Sequence, residues 1–279
     1  LSAQITTVGL AINPDKKLAR QLAREAATLL KRAGLRVLSG HGDAARLAAR
    51  SQLLLVFGGD GTMLRAAREM DGAQTPVLGI NAGALGFLTV VPAEGMAEAL
   101  RAVLAGRYSV RARAMLKVDI ARRKRWLPSH YALNDVVLSR GAAARIVRMA
   151  VSIGGESLTE YVCDGMIFAT QTGSTAYSMS AGGPILSPGT EAFVMTPICP
   201  HSLTNRSVVV GRSAVVETRI LSQAEELVLT VDGQVRVRLR NGDTIHVRRG
   251  NRPFQLVLPE GYSYYETLRR KLSWSGANV

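Results

Sequence analysis

Asp60 is the side chain with the most evident capacity for chemistry. It stands in Gly58-Gly-Asp-Gly-Thr62, directly after the apolar run Leu53-Leu-Leu-Val-Phe57 and before the helix-forming Met63-Leu-Arg-Ala-Ala-Arg68. Gly58, Gly59 and Gly61 let a ligand approach the backbone closely. Thr62 is expected to cap the helix that follows, whose first amides favour an anionic group such as phosphate. A carboxylate beside a phosphate cradle repels the phosphate unless it takes a proton or holds a metal, and both tasks suit Asp60.

Three further stretches carry polar groups that strand and helix building do not explain. Gly79-Ile-Asn-Ala-Gly-Ala-Leu-Gly-Phe-Leu88 again places glycines where a strand gives out, either as plain turns or as the second wall of a crevice. Asn134-Asp135 interrupts an apolar strand, and both residues are poor strand formers. They read either as a turn or bulge, or as an amide and a carboxylate aimed at the vicinal hydroxyls of a ribose. The block from Asp164 to Pro184 is dense in hydroxyls and glycines, with Thr170, Thr172, Ser174, Thr175, Tyr177, Ser178 and Ser180. Neutral donors and acceptors of this kind can read a base edge or line an anion site.

Other chemistries find little support. His41, His130, His201 and His246 have no metal-ligand spacing. There is no Gly-x-Ser-x-Gly elbow, no P-loop ending in Gly-Lys-Ser/Thr, and no Gly-x-Gly-x-x-Gly after the first strand.

The elements that must position these residues come in two textures. Thr6–Ile12, Leu35–Leu38, Leu53–Phe57 and Thr75–Ile80 read as buried strands. Between and after them, helices are predicted over 17–32, 44–50, 62–70 and 94–104, the first from apolar residues at helical spacing with Gly34 as its stop. Strands alternating with helices predict a parallel sheet covered on both faces. Near Tyr108 the pattern turns to strands, over 110–120, 131–138, 146–153, 208–210, 214–220, 227–231 and 254–258. Val235–Val247 alternates apolar and basic residues about Asn241-Gly242 and reads as a hairpin. The tail over 264–272 is helical and basic and is expected to pack back on the first domain. The expected division is an α/β domain over 1–106, a β-rich domain over 107–260 and the tail over 261–279.

With 279 residues, 47% of them hydrophobic and 20% charged, the chain is long enough for one large or two ordinary domains with a substantial core. No apolar run approaches the ~20 residues of a membrane span. Two cysteines, Cys163 and Cys199, and a first stretch without signal-peptide features make a reducing cytoplasm the expected compartment. The net charge of +14 is spread over scattered basic residues, without the interleaved aromatics of a single-strand platform. It suits attraction of a polyanionic nucleotide.

Taken together, the stretches resemble the NAD kinases. Gly58-Gly-Asp-Gly-Thr62, Gly79-Ile-Asn-Ala-Gly-Ala-Leu-Gly-Phe87, Asn134-Asp135, Asp164-Gly, Thr172-Gly-Ser-Thr-Ala-Tyr-Ser178, Pro200-His-Ser-Leu203 and Asp232-Gly-Gln234 stand in the family's order. The resemblance implies a Rossmann-like α/β domain and a mostly β domain with NAD bound between them, in a homodimer or homotetramer. It implies transfer of the terminal phosphate of ATP, or of polyphosphate, to the 2′-hydroxyl of the adenosine ribose, giving NADP, with Mg²⁺ or another divalent cation. Asp60 matches the catalytic carboxylate, and Gly61 lies beside it against the dinucleotide. Asn134 and Asp135 match the pair that holds the substrate. Asp164, Thr172, Thr175, Ala176, Tyr177, Ser178, Met179 and Ser180 match positions lining its nicotinamide and adenine ends, and Arg65, Arg145 and Gln234 match further contacts. Asp135 stands where many members carry the longer Glu. A nucleic-acid or membrane partner is not expected. Two other classes remain compatible with the residues alone. One is a lipid or sugar kinase using the same Gly-Gly-Asp-Gly turn, the other a non-catalytic nucleotide- or nucleic-acid-binding protein.

Overall fold

The computed structural model describes residues 5–40, 43–84, 86–140, 146–222 and 227–274. The chain divides into two compact units, residues 1–112 with 254–279, and residues 113–253.

The first unit begins β1 (Thr7–Ile12), α1 (Lys17–Arg32), β2 (Arg36–Gly40), α2 (Ala44–Ala49), β3 (Leu53–Gly58), α3 (Asp60–Glu69), β4 (Val77–Asn81), α4 (Met96–Leu104) and β5 (Tyr108–Arg113). The last two elements of the chain return to it as a strand, Phe254–Pro259, and a helix, Tyr264–Leu272. Its sheet runs β2-β1-β3-β4, then Phe254–Pro259, then β5. The pairs β1–β2, β1–β3 and β3–β4 are parallel, as the alternation of strand and helix predicts. Every residue of β3 and β4 is buried, which is why residues 53–57 and 77–80 are apolar without alternation. Phe57, Leu78, Ile80 and Val257 share one core with Leu22 and Leu30 of α1.

Two readings of this region change. Helix α3 begins at Asp60, two residues before the expected start, so Thr62 does not cap from outside. It sits in the first turn, and its hydroxyl accepts the Gly59 N–H at 3.4 Å. The second change concerns strands assigned to the β domain. The run over 110–120 divides into β5 and a later strand starting at Leu116, and Phe254–Pro259 joins β4 by a parallel pair in the first sheet.

The second unit contains β6 (Leu116–Arg122), β7 (Arg125–Trp126), β8 (His130–Ala132), β9 (Asp135–Arg140), β10 (Val147–Ile153), β11 (Glu156–Cys163), β12 (Gly165–Ala169), α5 (Tyr177–Ser180), β13 (Ala192–Ile198), β14 (Val208–Gly211), β15 (Val215–Ile220), β16 (Leu227–Val231), β17 (Val235–Leu239) and β18 (Thr244–Arg249). One sheet runs β11-β10-β15-β18-β6-β7 with β8 beside β6, and the other β14-β13-β12-β9-β16-β17. Val118, Met149 and Val247 of the first meet Phe168, Met195 and Leu229 of the second in one apolar core.

The hairpin expected over Val235–Val247 does not form, because its arms go to different sheets. β17 pairs with β16, and β18 pairs with β15 and β6. The tight hairpin lies one turn earlier, at Asp232-Gly233, where both residues have positive φ (49° and 65°) and Gln234 N–H donates to Val231 O at 2.9 Å. At Asn241-Gly242 the chain instead turns a corner, fixed by buried Asp243, which the Arg122 guanidinium grips through Nε and Nη2. β11 and β13 were not expected as strands. Five of the eight residues of β11 are exposed and several are polar, so it carries little of a buried strand's signature. Among the described residues no helix is long and apolar enough to cross a membrane.

Candidate active site

In the first unit Asp60 is the first residue of α3, at the carboxyl end of β3, the position where open α/β sheets place ligand-binding residues. Its carboxylate is held by the loop that follows β4. Phe87 N–H donates to Oδ2 at 2.8 Å, and Leu88 N–H, Thr89 N–H and the Thr89 hydroxyl donate to Oδ1 at 3.0, 3.1 and 3.1 Å. The two glycine-rich stretches singled out in the sequence are therefore one structure, with Asp60 as the joint. Gly86 is required by that closeness, since a Cβ there would fall on the Asp60 carboxylate. Gly79 is required too, because its Cβ would lie 2.6 Å from Leu88 O.

Lys16 was missed by sequence reasoning. Its ammonium lies 3.5 Å from Ala82 O, close to Gly59 and Gly83, whose missing side chains leave it room. Asn13 Nδ2 donates to Thr62 Oγ1 at 3.2 Å, tying the end of β1 to the first turn of α3. The Asn-Pro-Asp turn after β1 was the only signal that could have drawn notice to this corner. Gly61 is exposed in the first turn of α3. Arg65, one turn further on, is half-exposed and pairs with Glu69 at 3.4 Å.

In the second unit the Asn134-Asp135 interruption is real, and its cause is Asp232. The Asp232 carboxylate takes the backbone N–H groups of Leu133, Asn134 and Asp135 at 3.0, 2.8 and 3.1 Å. Those amides bond to Asp232, and the strand expected over 131–138 breaks into β8 and β9 at Leu133-Asn134. The loop after β12 is stitched to the same bend. Thr170 Oγ1 donates to Leu133 O at 2.6 Å, Thr170 N–H to Asn134 O at 2.9 Å, and Gly173 N–H to Thr170 Oγ1 at 3.1 Å. A Cβ on Gly173 would strike the Asn134 carbonyl, so only glycine permits this approach. Asn134 Oδ1 is buried without a hydrogen-bond partner among the described residues, an orphaned acceptor at the bend that a ligand donor would satisfy.

The rest of the expected set divides. Thr172 and Thr175 are half-buried at this bend, with Thr175 Oγ1 donating to Thr172 O at 3.3 Å. Ala176 and Met179 are half-buried, and Tyr177 and Ser180 exposed, in and before the short α5. Ser178 is buried, its hydroxyl 3.0 Å from that of Thr196, which marks it as a packing residue of this turn. Gln234 is exposed in the Asp232 hairpin. Asp164 lies apart, at the opposite end of β12 from Thr170, roughly 20 Å away along the strand. It pairs there with Arg140 at 3.1 Å. Arg145 lies outside the described residues.

Burial and electrostatics set Asp135 apart. It is 6% exposed, and its pKa is pushed up to about 7, first by desolvation and second by the negative charge of Asp232. Since an unfolded Asp titrates near ~4, the raised value stabilises the folded protein fully below that pH. This contribution is lost as pH rises through about 7. Asp135→Asn, which keeps the shape without the charge, is expected to gain most over wild type at about pH 8, the gain shrinking as pH falls toward about 5. Urea unfolding of both proteins across that range reads the difference, and a gap that does not change with pH would overturn the assignment.

Both units have known counterparts. Residues 41–108 match the family model for the ATP-NAD kinase N-terminal domain, and residues 133–258 that for the ATP-NAD kinase C-terminal domain. The NAD kinase of Geobacter metallireducens is 46% identical over 224 residues, 80% of this chain and 79% of that protein. The NAD kinase of Desulforamulus reducens is 36% identical over 280 aligned positions, covering 96% of this chain and 97% of its own. Among solved structures, yeast NADH kinase complexed with NADH superposes with a TM-score of 0.89 at 25% identity, covering 99% of this chain and 89% of that one. The NAD kinase of Archaeoglobus fulgidus in complex with ATP gives 0.76 at 25% identity, covering 97% and 100%.

Proposed function

The chain belongs to the NAD kinase family, and on that premise we propose that Asp60 accepts the proton of the 2′-hydroxyl on the adenosine ribose of NAD as phosphate arrives. The protein phosphorylates NAD to NADP. The match of both family models and of full-length relatives sets aside the lipid or sugar kinase and the non-catalytic binding protein.

The observation that carries the role of Asp60 is its pattern of donors. Among the described residues Oδ1 receives three and Oδ2 one, so Oδ2 keeps a lone pair for a substrate hydroxyl. In the reaction the ribose O2′–H bond breaks and its proton passes to Oδ2. O2′ bonds to the terminal phosphorus, and the bond from that phosphorus to its bridging oxygen breaks, the electron pair leaving with the donor diphosphate. ATP as donor is supported by the ATP complex of the archaeal relative. Lys16 and the positive end of the α3 dipole suit its terminal phosphate, a cation and a helix N-terminus meeting negative charge. The bend at Asn134-Asp135, with its orphaned Asn134 acceptor, suits the hydroxyls of the dinucleotide.

Among the described residues no group of His, Cys, Asp or Glu is placed to cage a metal. Mg²⁺ would come in on the donor phosphates and help to neutralise them, since such sites typically add only one or two carboxylates. A homodimer or homotetramer is the assembly we expect, read by light scattering on the purified protein. The decisive experiment is a coupled assay for NADP formed from NAD with ATP and Mg²⁺, run beside polyphosphate and NADH. NADP formation with ATP is the expected result, and its absence with every donor would overturn the reading.

A further inference from the structure

Among the described residues of the loop that holds Asp60, one donor comes from a side chain, and its neighbours settle where its proton points. Asn81 Oδ1 accepts the Gly83 N–H at 2.6 Å, and Asn81 Nδ2 donates to Ala84 O at 2.7 Å. These two bonds fix which end of the amide is nitrogen. The same Nδ2 donates to Thr89 Oγ1 at 3.0 Å. Because Thr89 Oγ1 receives that proton, its own is left for Asp60 Oδ1, 3.1 Å away, which as a carboxylate oxygen only accepts. Thr89 is 0% exposed and Asn81 3%, so bulk solvent does not reach this relay.

We infer that Thr89 is a positioning residue for phosphoryl transfer, its hydroxyl, oriented by Asn81, locking Asp60 Oδ1 so that Oδ2 is the oxygen presented to the ribose. The inference rests on the reading of Asp60 as the proton acceptor. The terminal torsion of an aspartate is intrinsically broad, with no staggered well to hold it. Backbone amides alone leave Oδ1 with two donors from consecutive residues, Leu88 and Thr89, on one side of the loop. The hydroxyl adds a third donor, one whose own orientation is fixed by Asn81. A reacting pair held in a near-attack geometry loses rate steeply when one partner is free to turn.

The test uses the full chain and four variants: Thr89→Val, Thr89→Ser, Asp60→Asn, and Thr89→Val with Asp60→Asn. Removing a hydrogen bond to a charged group is expected to lower kcat of Thr89→Val about tenfold, with KM for NAD within about twofold of wild type. Thr89→Ser, which keeps the hydroxyl, is expected to stay within about threefold of wild type. In the Asp60→Asn background Thr89→Val should cost little more, because the oxygen it orients no longer takes the proton. If Thr89→Val does not fold, Thr89→Ala takes its place with the same expected pattern. Normal kcat in the Thr89 variant beside a large fall in Asp60→Asn would overturn the inference and leave the reading of Asp60 standing. A loss that serine does not recover, or one undiminished in the double variant, would assign the effect to packing and overturn it as well. Normal turnover in Asp60→Asn would remove the reading of Asp60 itself, and the role of Thr89 with it.

Discussion

Asp60→Asn is expected to lower kcat for NAD phosphorylation by about 10²–10⁴-fold, the range a positioned general base supplies. KM for NAD should move by less than about threefold, since the carboxylate acts on a proton and not on the bulk of the substrate. The substitution is not silent structurally, and the donor pattern says how. The amide oxygen of asparagine would take the Oδ1 position, where Leu88 N–H, Thr89 N–H and the Thr89 hydroxyl converge. Its NH₂ group then faces the Phe87 N–H, donor against donor, at a site where Oδ2 now accepts at 2.8 Å. One unpaired donor costs roughly 1–3 kcal/mol, so the variant should unfold more readily while remaining folded at ambient temperature. Rates must therefore be taken on the folded fraction, checked by circular dichroism on the same sample. A kcat within about threefold of wild type would take Asp60 out of the chemistry.

The loop that makes this geometry also meets the last helix. The Phe87 ring lies 6.2 Å from that of Tyr264, and the Lys271 ammonium stands 5.2 Å from the Phe87 centroid. The helical tail expected to return to the first domain thus packs on the residue whose N–H reaches Asp60 Oδ2. Packing at the end of the chain and the orientation of the carboxylate are two ends of one contact.

What could be read from the sequence was whatever local pattern encodes. Leu53–Phe57 announced a strand buried on both faces because every position had to be apolar, and glycines at its end announced a site because nothing bulky was tolerated. The partners of Asp60 were hidden for a physical reason. Among the described residues, three of its donors are backbone amides, which every residue owns, and a fourth belongs to a threonine with no distinguishing neighbourhood in the chain. At Asn134-Asp135 the break was legible from two poor strand formers, but its agent lies 97 to 99 residues downstream in sequence. The false hairpin at Asn241-Gly242 has the same origin. Alternation tells which face of a strand is buried and is silent about which sheet it joins, a choice made here by the grip of Arg122 on Asp243.

Asp232→Ala is expected to destabilise the protein by roughly 3–6 kcal/mol, a large share of the ~5–15 kcal/mol that holds a typical domain folded. Leu133, Asn134 and Asp135 would each lose the acceptor of a backbone N–H in a place where Asp232 itself is only 7% exposed. A second cost comes from conformation. Asp232 has φ of 49°, which aspartate, asparagine and glycine tolerate and alanine resists by about 1 kcal/mol or more. Relief of the repulsion on Asp135 gives part of this back, since the Asp232 charge helps hold its pKa up. The two costs can be separated. Asp232→Gly tolerates the turn but lacks the carboxylate, and Asp232→Asn keeps one oxygen for the N–H groups of Asn134 and Asp135 while presenting its NH₂ to that of Leu133. Stability should therefore fall in the order wild type, Asn, Gly, Ala, measured by urea unfolding. Weakened binding of NAD should follow the same order, because the bend carrying Asn134 loses its anchor as the acceptor goes. An alanine variant within about 1 kcal/mol of wild type would mean that the bend at Asn134 is held by the Thr170 and Gly173 stitching alone.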